Sequence, residues 1–329
     1  MSALAPILQA FFTDRLLRER RASALTLAAY RDAWRLLLGF AAKRLTKPPS
    51  LLDLDDLEVP LIRAFLDHLE VERGNGVRTR NARLAAIHSL FRYAAVHHPE
   101  HAATIARVLA ILPKRFDRAL VAFLTEIEVE ALLAAPERSS WTGRRDHALL
   151  LVAVQTGLRI SELIGLRHSD VHLGTGAHVA CHGKGRKDRI TPLTTPTARV
   201  LRAWLTEHDS GSAAPVFATR TGTPLSRDAI EHRIALHVTN ASTHCPTLAS
   251  KRVTAHVLRH TAAMRLLEAG VHPTVIALWL GHERVDTTAM YLHAHLGIKE
   301  AALAHARMPD GKPRRYRPPD ALLAFLQSL

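Results

Sequence analysis

Across the first 110 residues, apolar side chains recur at three- and four-residue spacing in four successive stretches, residues 8–21, 26–43, 59–72 and 78–97. A chain patterned in this way buries one stripe of each helix and cannot lie in a sheet, where successive side chains point to opposite faces. Lys47-Pro48-Pro49-Ser50 and Gly74-Asn75-Gly76 supply turn chemistry between stretches. The rhythm changes further on, where residues 177–181 and 189–193 flank Gly183-Lys184-Gly185-Arg186-Lys187-Asp188, the pattern of strand, basic turn and strand. Helical spacing resumes from Ser226, His256 and Pro273. The expectation is a mainly α protein with one small antiparallel sheet.

At 329 residues there is room for two cores. Leu112-Pro113-Lys114-Arg115-Phe116-Asp117-Arg118 interrupts the helical pattern, and Thr125-Glu126-Ile127-Glu128 restarts it with capping-box spacing. A boundary is therefore expected here: a helical domain over 1–111, a basic linker over 112–122, a second domain over 123–305, and a basic, proline-bearing tail over 306–329. In the second domain an apolar run, 148–154, leads through Gly157 into residues 159–166. Residues 1–15 carry no basic residue ahead of their apolar stretch and read as an amphipathic helix rather than a signal peptide. No apolar run approaches the ~18 residues that span a bilayer. The two cysteines, Cys181 and Cys245, form no C-x-x-C pair and suit a reducing compartment. These features point to the cytoplasm and to no membrane partner.

The formal net charge is +14 with a pI near 10.6, an imbalance that fits a polyanion, nucleic acid first and an anionic membrane surface second. Residues 73–92 hold Arg73, Arg78, Arg80, Arg83 and Arg92 and no acid, beside the apolar set Leu84, Ile87, Leu90 and Phe91. That pattern suits a helix packed on one side and facing phosphates on the other, with an ordinary solvated face as its rival. Arg115, Arg186 and Lys187 extend the candidate DNA-contacting set.

Several chemistries are set aside because the chain has no G-x-x-x-x-G-K-[ST], G-x-S-x-G, H-E-x-x-H or C-x-x-C motif. His256 and His260 stand four apart, a spacing that can ligate zinc, but no third ligand accompanies them, so no metal is expected. Three separated segments carry more. In Thr156-Gly157-Leu158-Arg159-Ile160-Ser161-Glu162-Leu163, Arg159 and Glu162 share a helical face, so the carboxylate can hold the guanidinium. In Thr254-Ala255-His256-Val257-Leu258-Arg259-His260, His256 and Arg259 share a face by the same spacing. In the segment from Leu280-Gly281-His282 to Tyr291, nine helical steps of ~100° would set His282 and Tyr291 on opposite sides, so their convergence requires a break near Asp286.

Together with the Gly183-Lys184-Gly185 turn, these residues closely resemble the tyrosine recombinase (phage integrase) family, and its Xer-like branch most. The resemblance implies a helical, SAM-like core-binding domain over about residues 5–110. It implies a mostly helical catalytic domain with a small antiparallel sheet over about 120–300. Carried over position by position, it implies Arg159 and Arg259 as an arginine pair, Lys184 as the hairpin lysine, His256 and His282 as the two histidines, and Tyr291 as nucleophile. Glu162 and His260 would support them. It further implies double-stranded DNA as partner, a homotetramer or a hetero-tetramer with a related recombinase on two DNA sites, and no cofactor. The tail beyond about residue 305 is longer and more basic than the family leads one to expect.

Each role has a physical basis. Attack on a phosphodiester adds charge to its nonbridging oxygens, which two planar guanidinium forks stabilise. A phenol with pKa ~10 needs its proton removed, and His256 is the candidate base. Lys184 can protonate the departing 5′ oxygen, with Lys187 in the same turn as its rival. Exchanging a phosphodiester for a phosphotyrosine ester conserves bond energy, so no ATP is needed. Tyr30 and Tyr93 sit at core spacing, and Tyr316 has no acid-base partners nearby. The expected activity is site-specific strand cleavage and rejoining through a 3′-phosphotyrosine, in integration, excision, resolution or transposition. Type IB topoisomerase-like relaxation and a catalytically silent, sequence-specific DNA-binding protein are the alternatives.

Overall fold

The computed structural model describes residues 3–116, 121–182, 188–207 and 211–281. The chain divides into two units, Met1–Ala119 and Leu120–Leu329, a division that falls inside the basic segment 112–122. Lys184, Arg186, Lys187, His282, Tyr291 and the tail over 306–329 lie outside the described residues.

The first unit is helical. Helix α1 (Leu4–Ala10) continues into a π-helical stretch, Phe11–Glu19, and is followed by α2 (Ala24–Leu45), α3 (Val59–Val71), α4 (Val77–His97) and α5 (Ala102–Leu109). The Ser23 hydroxyl accepts the Thr26 N–H and starts α2, and Pro60 sits in the first turn of α3, where a missing N–H costs nothing. Phe11, Trp34, Leu37, Phe65, Ile87 and Phe91 form its core, all at most 3% exposed.

Helix α4 corrects one expectation. Arg73, Arg78, Arg92 and Arg115 are exposed and Arg83 is half-buried, but Arg80 is 5% exposed, its Nε 3.3 Å from Glu70 Oε2 and its Nη1 donating to Asn81 Oδ1. The reason is periodicity: residues 80, 84, 87 and 91 follow one stripe, so Arg80 stands where Leu84, Ile87 and Phe91 stand one, two and three turns on. An arginine inside the stripe points inward and takes a carboxylate with it, which a count of charges along the segment does not register. Glu70 also accepts from Lys114 Nζ at 2.6 Å, and Asn81 brackets the Lys114 backbone, so residues 112–116 are tied to this unit. Arg78 lies over the Phe116 ring at 5.4 Å.

In the second unit, the capping box at Thr125 and Glu128 opens α6 (Glu126–Ala134) with both of its arms formed. Helix α7 (Trp141–Thr156) is buried along most of its length and ends at Gly157, whose φ of +64° is left-handed. A Cβ there would come within 2.6 Å of Leu280 Cδ2, so this position needs glycine for both its torsion and its space. Helix α8 (Ile160–Gly165) follows at once. Strands β1 (Val171–His172), β2 (His178–His182) and β3 (Asp188–Pro192) form an antiparallel sheet in that order, with Ala180 opposite Ile190. Then come α9 (Thr195–Glu207), α10 (Arg227–Ser242), α11 (Ala255–Glu268) and α12 (Pro273–Leu280). The hairpin strands sit one residue from their expected limits, and β1 and α9 are additions that local patterning did not reveal. The main core gathers Leu149, Val152, Leu163, Phe217, Ile234 and Leu258, while Met264, Leu267, Ile276 and Leu280 pack α11 on α12.

Among the described residues no helix is long and apolar enough to cross a membrane. Replacing Arg80 by Ala is expected to cost about 1–3 kcal/mol of stability, because it empties a buried position in the apolar stripe and leaves the half-buried Glu70 carboxylate with Lys114 alone. The exposed Arg73→Ala should stay within about 0.5 kcal/mol of the parent. Urea denaturation of the two variants checks both, and equal midpoints would show Arg80 to be a surface residue.

Candidate functional site

The left-handed turn at Gly157 stops α7 and sends the chain in extended conformation through Arg159, the residue that precedes α8. Three residues into the helix, Glu162 turns back: its Oε2 accepts the Arg159 backbone N–H at 2.7 Å, and its Oε1 accepts Arg159 Nη1 at 3.0 Å. The spacing expected to let this carboxylate hold the guanidinium therefore does so. Arg159 remains 35% exposed at its side chain, against 5% for Glu162.

A third group, absent from the expected set, completes the arrangement. Arg189 reaches Glu162 from β3 with a two-pronged pair, Nη1 to Oε1 at 2.9 Å and Nη2 to Oε2 at 2.7 Å. Burial pushes the Glu162 carboxyl up, but the bonds from Arg189 and then Arg159 outweigh it and hold the group below its ordinary value. The signal for Arg189 in the sequence was ambiguous: strand alternation puts either Arg189 and Thr191, or Ile190, on the inner face. The structure turns the arginine inward and leaves Ile190 64% exposed.

The end of α12 joins these residues to the rest. Gly281 caps the helix with a left-handed φ of +65°, so the carbonyls here stand at a helix end. Arg189 Nε donates to Trp279 O at 3.0 Å, Arg259 Nη2 to Leu280 O at 2.7 Å, and Arg159 Nη2 to Gly281 O at 2.8 Å. Three successive carbonyls at the negative end of one helix thus each hold an arginine from a different segment. Arg259 is 4% exposed, and its Nη1 also donates to Gly157 O at 2.6 Å, closing the loop back to α7. Trp279 Nε1 donates to Thr156 O at 3.1 Å alongside.

His256 lies in the first turn of α11, exposed, one helical turn before Arg259. Loss of water on the side of the ring that packs against His260, then the charges of Arg259 and Arg159, lower its pKa, which keeps the imidazole neutral and able to accept a proton near pH 7. His260 packs edge-on against it, ring centroids 4.1 Å apart, and is pushed down to about 4 by burial and by the neighbouring His256 and Arg259. The structure thus gathers Arg159, Glu162, His256, Arg259 and His260 around the α12 end, and adds Arg189. Among the described residues no three His, Cys, Asp or Glu side chains cluster to hold a metal ion.

Two family models account for most of the chain: the phage integrase family over residues 122–296 and the phage integrase N-terminal SAM-like domain over residues 10–98. The chain belongs to the phage integrase family. A Sinorhizobium fredii protein named integrase/recombinase y4rC is 56% identical over 328 residues, covering 100% of this chain and 99% of its own length. The tyrosine recombinase XerC of Pelobacter propionicus is 32% identical over 302 residues, 89% of this chain and 93% of its own. Among solved structures, XerH bound to palindromic difH substrate matches with a TM-score of 0.70 at 22% identity, covering 87% of this chain and 81% of that one. A lambda integrase dimer bound to a COC′ core site matches at 0.62 and 19%, covering 95% and 81%. At those identities the likeness is one of fold. As a phage integrase family member, the protein is a tyrosine-type site-specific recombinase, with the helical N-terminal domain and small catalytic sheet that the motifs implied.

The low pKa of His260 has a sign. The unfolded chain takes up this proton near pH 6.5 and the folded one only near 4, so the contribution of His260 to stability is constant above about 6.5 and falls as the pH drops towards 4. His260→Gln should shrink the loss of unfolding free energy between pH 7 and pH 4 by on the order of 2 kcal/mol. Urea titrations across that range check this, and unchanged pH dependence in the variant would reject it.

Proposed function

We propose that this recombinase cuts and rejoins duplex DNA through a transient 3′-phosphotyrosine on Tyr291. The observation that carries the reading is the pair of guanidinium groups, Arg159 and Arg259, held on consecutive carbonyls of the α12 end, immediately before His282 in the chain. A scissile phosphate set against these forks has its developing charge met by rigid, permanently cationic donors. The Tyr291 phenol attacks phosphorus while His256, kept neutral by its surroundings, accepts the phenolic proton. The tyrosyl oxygen–phosphorus bond forms as the bond from phosphorus to the 5′ oxygen breaks. Lys184 supplies the proton that makes the leaving group a 5′ hydroxyl, and His282 hydrogen-bonds or orients the phosphate. Rejoining runs the same steps backward on a new 5′ hydroxyl, with His256 returning the proton.

The relatives whose structures hold DNA support double-stranded DNA as the partner, with Arg73, Arg78, Arg83, Arg115, Arg186 and Lys187 as candidate backbone contacts. Strand exchange between two sites calls for four active sites, hence a tetramer of this chain or of this chain with a related recombinase, acting in the cytoplasm.

Mapping covalent protein–DNA junctions across the genome in cells expressing the protein identifies the site used. A nicked duplex carrying that junction should then trap a covalent complex in vitro. Tyr291→Phe should bind the duplex as well as the parent and form no covalent product, since it deletes one hydroxyl and leaves the phosphate clamp alone. Covalent product from that variant would overturn the assignment.

The proton donor is tested separately. A 5′-bridging phosphorothiolate leaves as a thiolate, whose conjugate acid has pKa ~8.5, and needs no acid. Lys184→Ala should therefore be nearly inactive on ordinary DNA and close to the parent rate on the sulfur substrate. Lys187→Ala should show one modest defect on both. Selective sulfur rescue of Lys187→Ala would transfer the role to that residue.

A further inference from the structure

Glu162 presents an electrostatic problem that the strand-cleavage reading leaves open. An ionised carboxylate 3.0 Å from Arg159 fixes the guanidinium in place, but it also cancels the charge that a phosphate is meant to meet. The burial of Glu162 sharpens the conflict, because water reaches the pair only from the Arg159 side. Arg189 answers it. Its fork covers both carboxylate oxygens, so that with the Arg159 backbone N–H and Nη1 the carboxylate receives four hydrogen bonds, as many as its lone pairs offer. Around the α12 end there are then three guanidinium groups to one carboxylate, instead of two to one.

We infer that Arg189 is a positioning residue for strand cleavage: it is the counter-ion of Glu162, which lets Glu162 orient Arg159 without neutralising it. Arg189 makes no claim on the phosphate itself. Its side chain is 10% exposed and each of its three nitrogens already donates to Glu162 or to Trp279 O, which uses three of its five N–H groups, whereas Arg159 is 35% exposed. The same side chain joins the hairpin to the two other segments. It stands two residues after Lys187, grips the residue that orients Arg159, and holds the α12 carbonyl three residues before His282. Gly281 accommodates it, since a Cβ there would lie 3.1 Å from Arg189 Nη1.

The inference rests on the phosphotyrosine reading, and the experiment separates the two. Single-turnover covalent complex formation is measured on the mapped, nicked duplex for the parent, Arg189→Gln, Arg189→Lys and the double variant Glu162→Gln with Arg189→Gln, alongside thermal midpoints and duplex affinity. Arg189→Gln removes the counter-ion and should slow cleavage about 100-fold with duplex affinity unchanged. Arg189→Lys restores the charge without the fork and should recover at least about 10-fold of that loss. The double variant is decisive. Glutamine at 162 still accepts the Arg159 N–H but carries no charge, so the count of uncompensated guanidinium groups returns to the parent's. It should cleave at least about 10-fold faster than Arg189→Gln alone, although it has lost more native bonds.

A scissile methylphosphonate, which lacks one nonbridging negative charge, gives the second readout: the Arg189→Gln defect should shrink on it by about 10-fold. A role confined to holding the fold together would lower the thermal midpoint and slow both substrates alike, with the double variant the worst of the set. That pattern, or parent-like cleavage by Arg189→Gln, overturns the inference while leaving the phosphotyrosine reading intact. Absence of covalent product from the parent on the ordinary nicked duplex overturns both.

Discussion

The catalytic unit is organised around the unfinished end of one short helix. Helix α12 stops at a left-handed glycine, and its last two carbonyls and that of the glycine are met by Arg189, Arg259 and Arg159 in turn. Each of those arginines comes from a different part of the chain: the hairpin, α11, and the start of α8. Hydrogen bonds from a cation to a carbonyl at the negative end of a helix are stronger than neutral ones, and burial strengthens them further. The convergence therefore fixes the relative positions of segments more than a hundred residues apart. Glu162 ties two of the three together a second time from below.

This arrangement resolves a general difficulty of anion-binding sites. Several cations placed together repel one another, and a carboxylate that holds them also consumes their charge. Here most of the holding is done by backbone carbonyls, which orient guanidinium groups without neutralising them. The one carboxylate is shared between two arginines. The result is a rigid site in which positive charge exceeds negative and the exposed guanidinium is Arg159. The same excess adds to the burial that lowers the histidine pKa values: His256 and His260 lose water first, and Arg259 beside them disfavours their cations further.

The N-terminal unit shows the opposite use of arginine. Arg80 sits inside an apolar stripe and is neutralised by Glu70, whereas Arg73, Arg78 and Arg92 on the same segment stay exposed. One residue type in one basic stretch thus performs a structural task at one position and remains available to a polyanion at others. Position on the helical wheel makes the difference, and net charge cannot reveal it.

Much was readable from the sequence because it is encoded at short range. The helical stretches, the breaks, the capping box at Thr125 and the hairpin all depend on residues within a turn or a strand of one another. So do the His256–Arg259 pair, three residues apart on one face of α11, and the Arg159–Glu162 pair, although Arg159 precedes α8 in extended conformation and meets Glu162 across the helix start instead of along a shared helical face. The family resemblance then joined those local motifs into one expected site. The role of Arg189 was not readable, since its partners Glu162 and Trp279 lie 27 and 90 residues away and strand alternation allowed it to face either side. Nor was the capture of Gly281 O by Arg159, across 122 residues, or of Gly157 O by Arg259, across 102. Local spacing determines which side chains share a face, but which carbonyl or carboxylate that face meets depends on how the helices pack, and only the tertiary structure decided it.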